Sequence, residues 1–195
     1  MPHSCLRMQE PEYDLGVIRT HTGRAVDLVH PSPSMFFVDD IARGLSMLCR
    51  YVGQVSQFYS VAEHSFWVSM QCGDSPQTQL WGLLHDASEA YLGDMSAPVK
   101  GLPELAPFRL LERRVSAAIL TQFGLPLEAP TIVKKIDQFI RVNEQMELQN
   151  VKPAKDAVLI PVALALWPPS VAEQMFLDRF NDLQSQLLPL EKINA

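Results

Sequence analysis

The first rhythm in the chain is an alternation. Residues 16–29, "GVIRTHTGRAVDLV", switch between apolar and polar side chains on either side of His21–Thr22–Gly23. A period of two turns one face of a strand toward a core, and the central turn residues predict a small β-hairpin. "HPSPSM" at 30–35 carries two prolines and predicts a loop. From there the apolar spacing changes to three and four. Asp39 or Asp40 is expected to cap a helix through Leu48, with Ile41, Leu45 and Leu48 on one face. Ser60 is expected to cap the next, which carries "VAEHSFWVSM". Ser75 or Pro76 opens a third helix, expected to run to about Tyr91 until Gly93 stops it. Pro98, Pro103 and Pro107 mark a rigid connection.

A fourth helix is expected over about 108–123, ended by Gly124, and a fifth from Pro130 to about Asn150. Residues 151–169 read as Pro-rich and irregular. A last amphipathic helix spans about 170–188, with Met175, Leu177, Phe180, Leu183 and Leu187 on its apolar side. The pattern predicts an all-α fold, a helical bundle with a small N-terminal β-hairpin. Residues 1–16 read as a loosely held arm and 17–195 as one domain.

Composition sharpens this picture. Of 195 residues 47% are apolar, enough for a sizeable core, and only 19% are charged, so a charge inside an apolar segment is informative. The net charge of -6 lacks the basic footprint of a protein that binds a nucleic-acid polymer. Cys5, Cys49 and Cys72 are odd in number and form no CxxC pair, which fits a reducing cytoplasm. The N-terminus lacks the apolar core of a signal peptide. The longest apolar run, Ala157–Trp167, is broken by Pro161 and falls short of the roughly 20 residues a bilayer needs. A soluble cytoplasmic protein is expected, with no membrane partner.

"WGLLHDASEAYLGDM", residues 81–95, places charges where the pattern otherwise reads as core. His85 and Asp86 are neighbours on the third helix, about 100° apart around its axis, so both reach one point beside it. An imidazole and a carboxylate converging among apolar side chains suit a divalent metal. His64 lies one helix earlier in "AEHS", and Asp137 lies on the fifth helix in "VKKIDQFIRVNEQ", next to Ile136. Any one of these alone is more often a hydrogen-bonded core histidine, a cap or half of an ion pair. The ordered set, each member with an apolar flank, makes a metal pocket inside a bundle.

This frame, H…HD…D, resembles the HD superfamily of metal-dependent phosphohydrolases. "FYSVAEHS", "LLHDASEAYLGDMSAPVK" and "VKKIDQ" resemble bacterial 5′-deoxynucleotidases and related HD hydrolases, and "VDDIARGLSMLCRYVGQ" fits the latter. The similarity covers about residues 23–149. It implies an HD-domain bundle with a metal-binding core at about 36–150. His64, His85, Asp86 and Asp137 become the ligands of one divalent metal ion (Co²⁺, Mn²⁺, Mg²⁺, Fe²⁺ or Zn²⁺). A single metal is favoured because no histidine follows the HD pair.

Glu89 shares the face of Asp86, and Asp94 follows Gly93 at the helix end. The resemblance implies that both are catalytic, near substrate and the attacking water. Their ordinary readings are an exposed helix glutamate and a cap. Arg50 and Tyr51, at what reads as a helix end, resemble an Arg–aromatic pair that meets the substrate, and an arginine fork suits phosphate. Lys100 in "APVK" is a further phosphate candidate. His3, His21 and His30 read as surface residues.

The resemblance implies hydrolysis of nucleoside 5′-monophosphates, with a small-molecule nucleotide as partner and a homodimer by analogy. One alternative is another phosphorylated metabolite: a dNTP, a cyclic nucleotide or ppGpp. The other is a metal-bound nucleotide-binding module without turnover.

Overall fold

The computed structural model describes residues 14–159 and 162–187. The hairpin is present: β1 (Val17–Arg19) pairs antiparallel with β2 (Ala25–Asp27), Ile18 opposite Val26. Eight helices follow among the described residues: α1 (Val38–Met47), α2 (Val61–Gln71), α3 (Pro76–Leu84), α4 (Glu89–Leu92), α5 (Ala97–Lys100), α6 (Ala106–Gln122), α7 (Thr131–Gln149) and α8 (Pro169–Leu187). The chain is mostly helical with one small sheet, as the apolar spacing predicts. No described helix is long and apolar enough to cross a membrane. His21 and His30 are exposed; His3 and most of the proposed arm lie outside the described residues.

α2 is the central element. It packs on α3, α7, α8 and α1, and eight of its eleven residues are buried. Val61, Ala62, Phe66 and Val68 supply apolar burial, and the buried Glu63 and His64 find hydrogen-bond partners on other elements. Ser60 caps it as expected: its side chain accepts the Glu63 backbone N–H at 3.1 Å. α8 lies across α1, α2 and α3. Its buried face is Ala172, Phe176, Phe180 and Leu183, which keeps Phe180 and Leu183 of the expected face and puts Ala172 and Phe176 in place of Met175, Leu177 and Leu187. Leu187 is exposed, and Met175 and Leu177 are half-buried. Both stripes have helical spacing, and the three-helix surface α8 meets decides between them.

Two other expectations change. Neither Asp39 nor Asp40 caps α1; Phe37 precedes it without a side-chain cap. Asp40 instead faces the hairpin, accepting from the Thr22 hydroxyl at 2.8 Å and from Arg24 Nη1 at 3.0 Å. Burial pushes its carboxyl up, but these donors outweigh burial and hold it below the usual range. The third helix is not continuous. It stops at Leu84, and Ala87 and Glu89 donate to Leu84 and Asp86, three residues back, before the single turn of α4. Three-residue hydrogen bonding winds the chain more tightly, near 120° per residue.

α4 is held by close approach to α1. A Cβ added at Gly44 would stand 2.7 Å from Ala90 Cβ and 2.9 Å from Ala90 O. Only a glycine lets the two backbones meet there, and that contact fixes the turn carrying Glu89. Gly44→Ala is therefore expected to lower stability by about 1–3 kcal/mol through overpacking, although alanine is the better helix former by ~1 kcal/mol. Chemical denaturation checks this; an unchanged or raised midpoint would mean the contact is loose.

Candidate metal centre

His64 enters the site from α2 and is fully buried. Its Nδ1 lies 2.6 Å from Glu144 Oε1. The Glu144 carboxyl is held well below the usual range: burial opposes ionisation, but the Arg50 and His64 charges win. An ionised carboxylate only accepts, so Nδ1 carries the hydrogen and Nε2 presents a lone pair. His85 closes the end of α3, with its Nδ1 2.7 Å from Gly82 O. A carbonyl also only accepts, so His85 likewise turns a bare Nε2 outward. The two Nε2 atoms face each other at 3.3 Å.

Asp86 completes a group of three. Its Oδ2 lies 3.1 Å from His85 Nε2 and 3.8 Å from His64 Nε2. The ligand atoms of His64, His85 and Asp86 all fall within 4.8 Å of one another, so this trio can hold a metal ion. Asp137 stands one step outside the trio and joins it through His64, with Oδ1 3.2 Å from Nε2. α7 carries it, one turn before buried Ile140.

Two lone pairs 3.3 Å apart repel unless a cation or a proton lies between them. Charge gives the same answer. Asp86, Asp137 and Glu144 are all held low, against burial, by neighbouring imidazole and guanidinium groups. These three carboxylates outnumber the nearby guanidinium of Arg50, so the surroundings of the two rings favour a cation. Without such an ion a proton takes part of the role. Burial and Arg50 push the His64 imidazole down, but Glu144 and Asp137 raise it to about 9. The donor set of two imidazoles and carboxylate oxygen is chemistry that zinc and the neighbouring first-row divalent ions accept.

Arg50 does not end a helix. α1 stops at Met47, and Cys49 bridges to Ser60 before a tight turn at Arg50–Gly53. Tyr51 and Val52 both take left-handed backbone angles there, φ 58° and 55°. That turn drives Arg50 inward. Its Nε and Nη2 each lie 3.1 Å from Glu144 Oε2, and Nη1 lies 3.6 Å from Asp86 Oδ2. Tyr51 also points inward, its hydroxyl donating to Glu144 Oε2 at 2.7 Å. Glu144 was invisible to the motif reading. The available signal is its place seven residues after Asp137, two turns along the same face of α7.

Glu89 is buried, not an exposed helix glutamate, and its Oε2 has no hydrogen-bond partner. Burial, then the charges of Asp86 and Asp94, push its carboxyl far above the usual range. Asp94 is half-buried and does not cap α5, which Ser96 precedes. Burial raises its pKa, with Arg50 opposing. Lys100 pairs with Glu112 at 2.6 Å and with Glu89 at 3.6 Å, so its ammonium sits among carboxylates. Beside His85 and Asp86 opens a cavity of about 490 Å³, lined also by Lys100, Glu112 and the apolar Trp81 and Leu120.

No family model matches the chain. It is 32% identical over 181 residues to the uncharacterized protein YfdR of Escherichia coli, covering 87% of this chain and 96% of YfdR. The chain belongs to the YfdR family. It is also 35% identical over 147 residues to the uncharacterized protein RCAP_rcc00048 of Rhodobacter capsulatus, covering 71% of this chain and 74% of that one. The alignment with YfdR spans nearly that whole protein.

The His64 imidazole of this YfdR-family chain gives a pH signature. A folded-state pKa raised from 6.5 to about 9 contributes stability that is fully present below pH 6.5 and is lost as pH rises through 9. Metal-free protein should melt at progressively lower temperature across that window, and His64→Gln should flatten the profile. A flat profile in chelator-treated wild type would remove the proton from the site.

Proposed function

We propose that the chain is a metal-dependent phosphohydrolase of the HD type that cleaves nucleoside 5′-monophosphates to nucleoside and phosphate. The observation carrying this reading is the pair of Nε2 atoms 3.3 Å apart, each with its Nδ1 already committed, beside Asp86. His64, His85 and Asp86 would hold one divalent ion, with Asp137 as the fourth ligand. Such an ion supplies charge neutralisation at a phosphoryl oxygen and a lowered pKa for water. Two carboxylates in the set make it a milder Lewis acid than three histidines would.

The chain's own groups supply the rest. Arg50 turns Nη1 toward Asp86 and offers positive charge where a phosphoryl oxygen would lie. Lys100 lines the adjoining cavity and adds a second cation. Glu89, buried beside Asp86 with its Oε2 unpartnered, is placed to give a proton to the leaving 5′-oxygen. Asp94 then orients the attacking water. The cavity of about 490 Å³ lies in the range of small-molecule pockets, and its apolar Trp81 and Leu120 suit a nucleobase.

Metal analysis coupled to phosphate release tests the reading on a panel of nucleoside mono- and triphosphates, cyclic nucleotides and ppGpp, with Co²⁺, Mn²⁺ or Mg²⁺ added. His85→Ala or Asp86→Ala should lose both metal and turnover. Glu89→Gln should keep its metal and slow turnover by about 10²–10⁴-fold. Undiminished hydrolysis after His85→Ala refutes the assignment. Ligand-raised melting temperature without phosphate release from any compound would make the chain a binding module.

A further inference from the structure

Glu144 contacts neither cavity nor solvent, yet four donors converge on it. Oε1 takes the His64 Nδ1–H. Oε2 takes Arg50 Nε, Arg50 Nη2 and the Tyr51 hydroxyl. The residue is fully buried, so no solvent molecule can replace a lost acceptor. Both oxygens must accept, on opposite sides of one carboxylate. An amide of the same shape has a single acceptor oxygen and a donating nitrogen. Three donors meet Oε2 and one meets Oε1, so the amide oxygen goes to the Arg50–Tyr51 side and its nitrogen opposes the His64 donor.

From this geometry we infer that Glu144 is a positioning residue that sets the His64 tautomer and the aim of Arg50 together. It keeps the hydrogen of His64 on Nδ1, so that Nε2 is bare toward His85 and Asp137. Through Oε2 it also holds the guanidinium whose Nη1 reaches Asp86. One carboxylate thus ties the cation-binding nitrogen to the anion-facing arm, across α2, α7 and the Arg50–Gly53 turn. The inference rests on His64 as a ligand but requires no phosphatase activity.

The test uses the full chain with Zn²⁺ as probe. Glu144→Gln is expected to weaken Zn²⁺ binding about 10–100-fold, the usual cost of losing a group that orients a histidine ligand. Nitrogen NMR of labelled histidine should show His64 leaving the Nδ1–H tautomer in this variant, under conditions where circular dichroism reports a folded chain. In zinc-loaded wild type the same spectra should show a protected hydrogen on Nδ1, a measurement that stands if the variant does not fold. Zinc-loaded wild-type spectra with no hydrogen on Nδ1, or a folded Glu144→Gln with unchanged Zn²⁺ affinity and tautomer, overturn the inference. A wild type that holds Zn²⁺ with Nδ1 protonated but releases no phosphate sinks the hydrolase reading and supports this one.

Discussion

In a closed site, two imidazole nitrogens 3.3 Å apart cannot both keep bare lone pairs. Each of these rings has lost its freedom to choose a tautomer, His64 to a buried carboxylate and His85 to the Gly82 carbonyl. Whatever lies between the two Nε2 atoms must therefore be positive. The surrounding carboxylates and the buried guanidinium of Arg50 follow from that condition. So does the packing: α2 supplies one ring, the end of α3 the other, and α7 the carboxylates on either side of His64. These helices pack on one another, and the contact is paid for by apolar burial along α2.

The break after Leu84 serves the same condition. The third helix ends at Leu84, and a new turn starts at Glu89 after a stretch bonded three residues back. The carboxylate at 86 then lies within reach of both rings, and that at 89 is shut away from water beside it. Gly44 belongs to this arrangement as much as the two histidines do, because α4 cannot sit against α1 with any larger residue there.

Much of this was legible in the chain. Ser60 and Ser75 cap helices as read, Gly93 and Gly124 follow helix ends with φ of 82° and 67°, and the hairpin lies where the alternation puts it. These signals are local, decided by one hydroxyl or one missing Cβ. The failures share a different origin. No glycine or proline marks the break at His85–Ser88, since its residues stay close to helical angles. The buried stripe of α8 depends on three partner helices. Asp40 looks like a cap until the hairpin folds against it. Arg50 reads as a helix end because Tyr51 and Val52 give no warning that they will turn left-handed. Among the candidate ligands, His64, His85 and Asp86 converge as the motif implies, and Asp137 adjoins them. Glu144 and Glu63 escaped because their meaning lies in partners 80 or more residues away.

Glu63 precedes His64 and is just as deeply buried. Its carboxylate accepts backbone N–H groups from Ala165, Leu166 and Trp167, at 2.7 to 3.0 Å, and Trp167 stacks on Trp67 of α2. Consecutive side chains on one helical turn thus point to opposite errands: one grips the passage leading into α8, the other reaches the proposed metal. Loosening that passage would leave a naked acid in the interior, one position from a candidate ligand. The tail of the fold is in this way leashed to its chemistry, and neither end can be remodelled without the other feeling the strain.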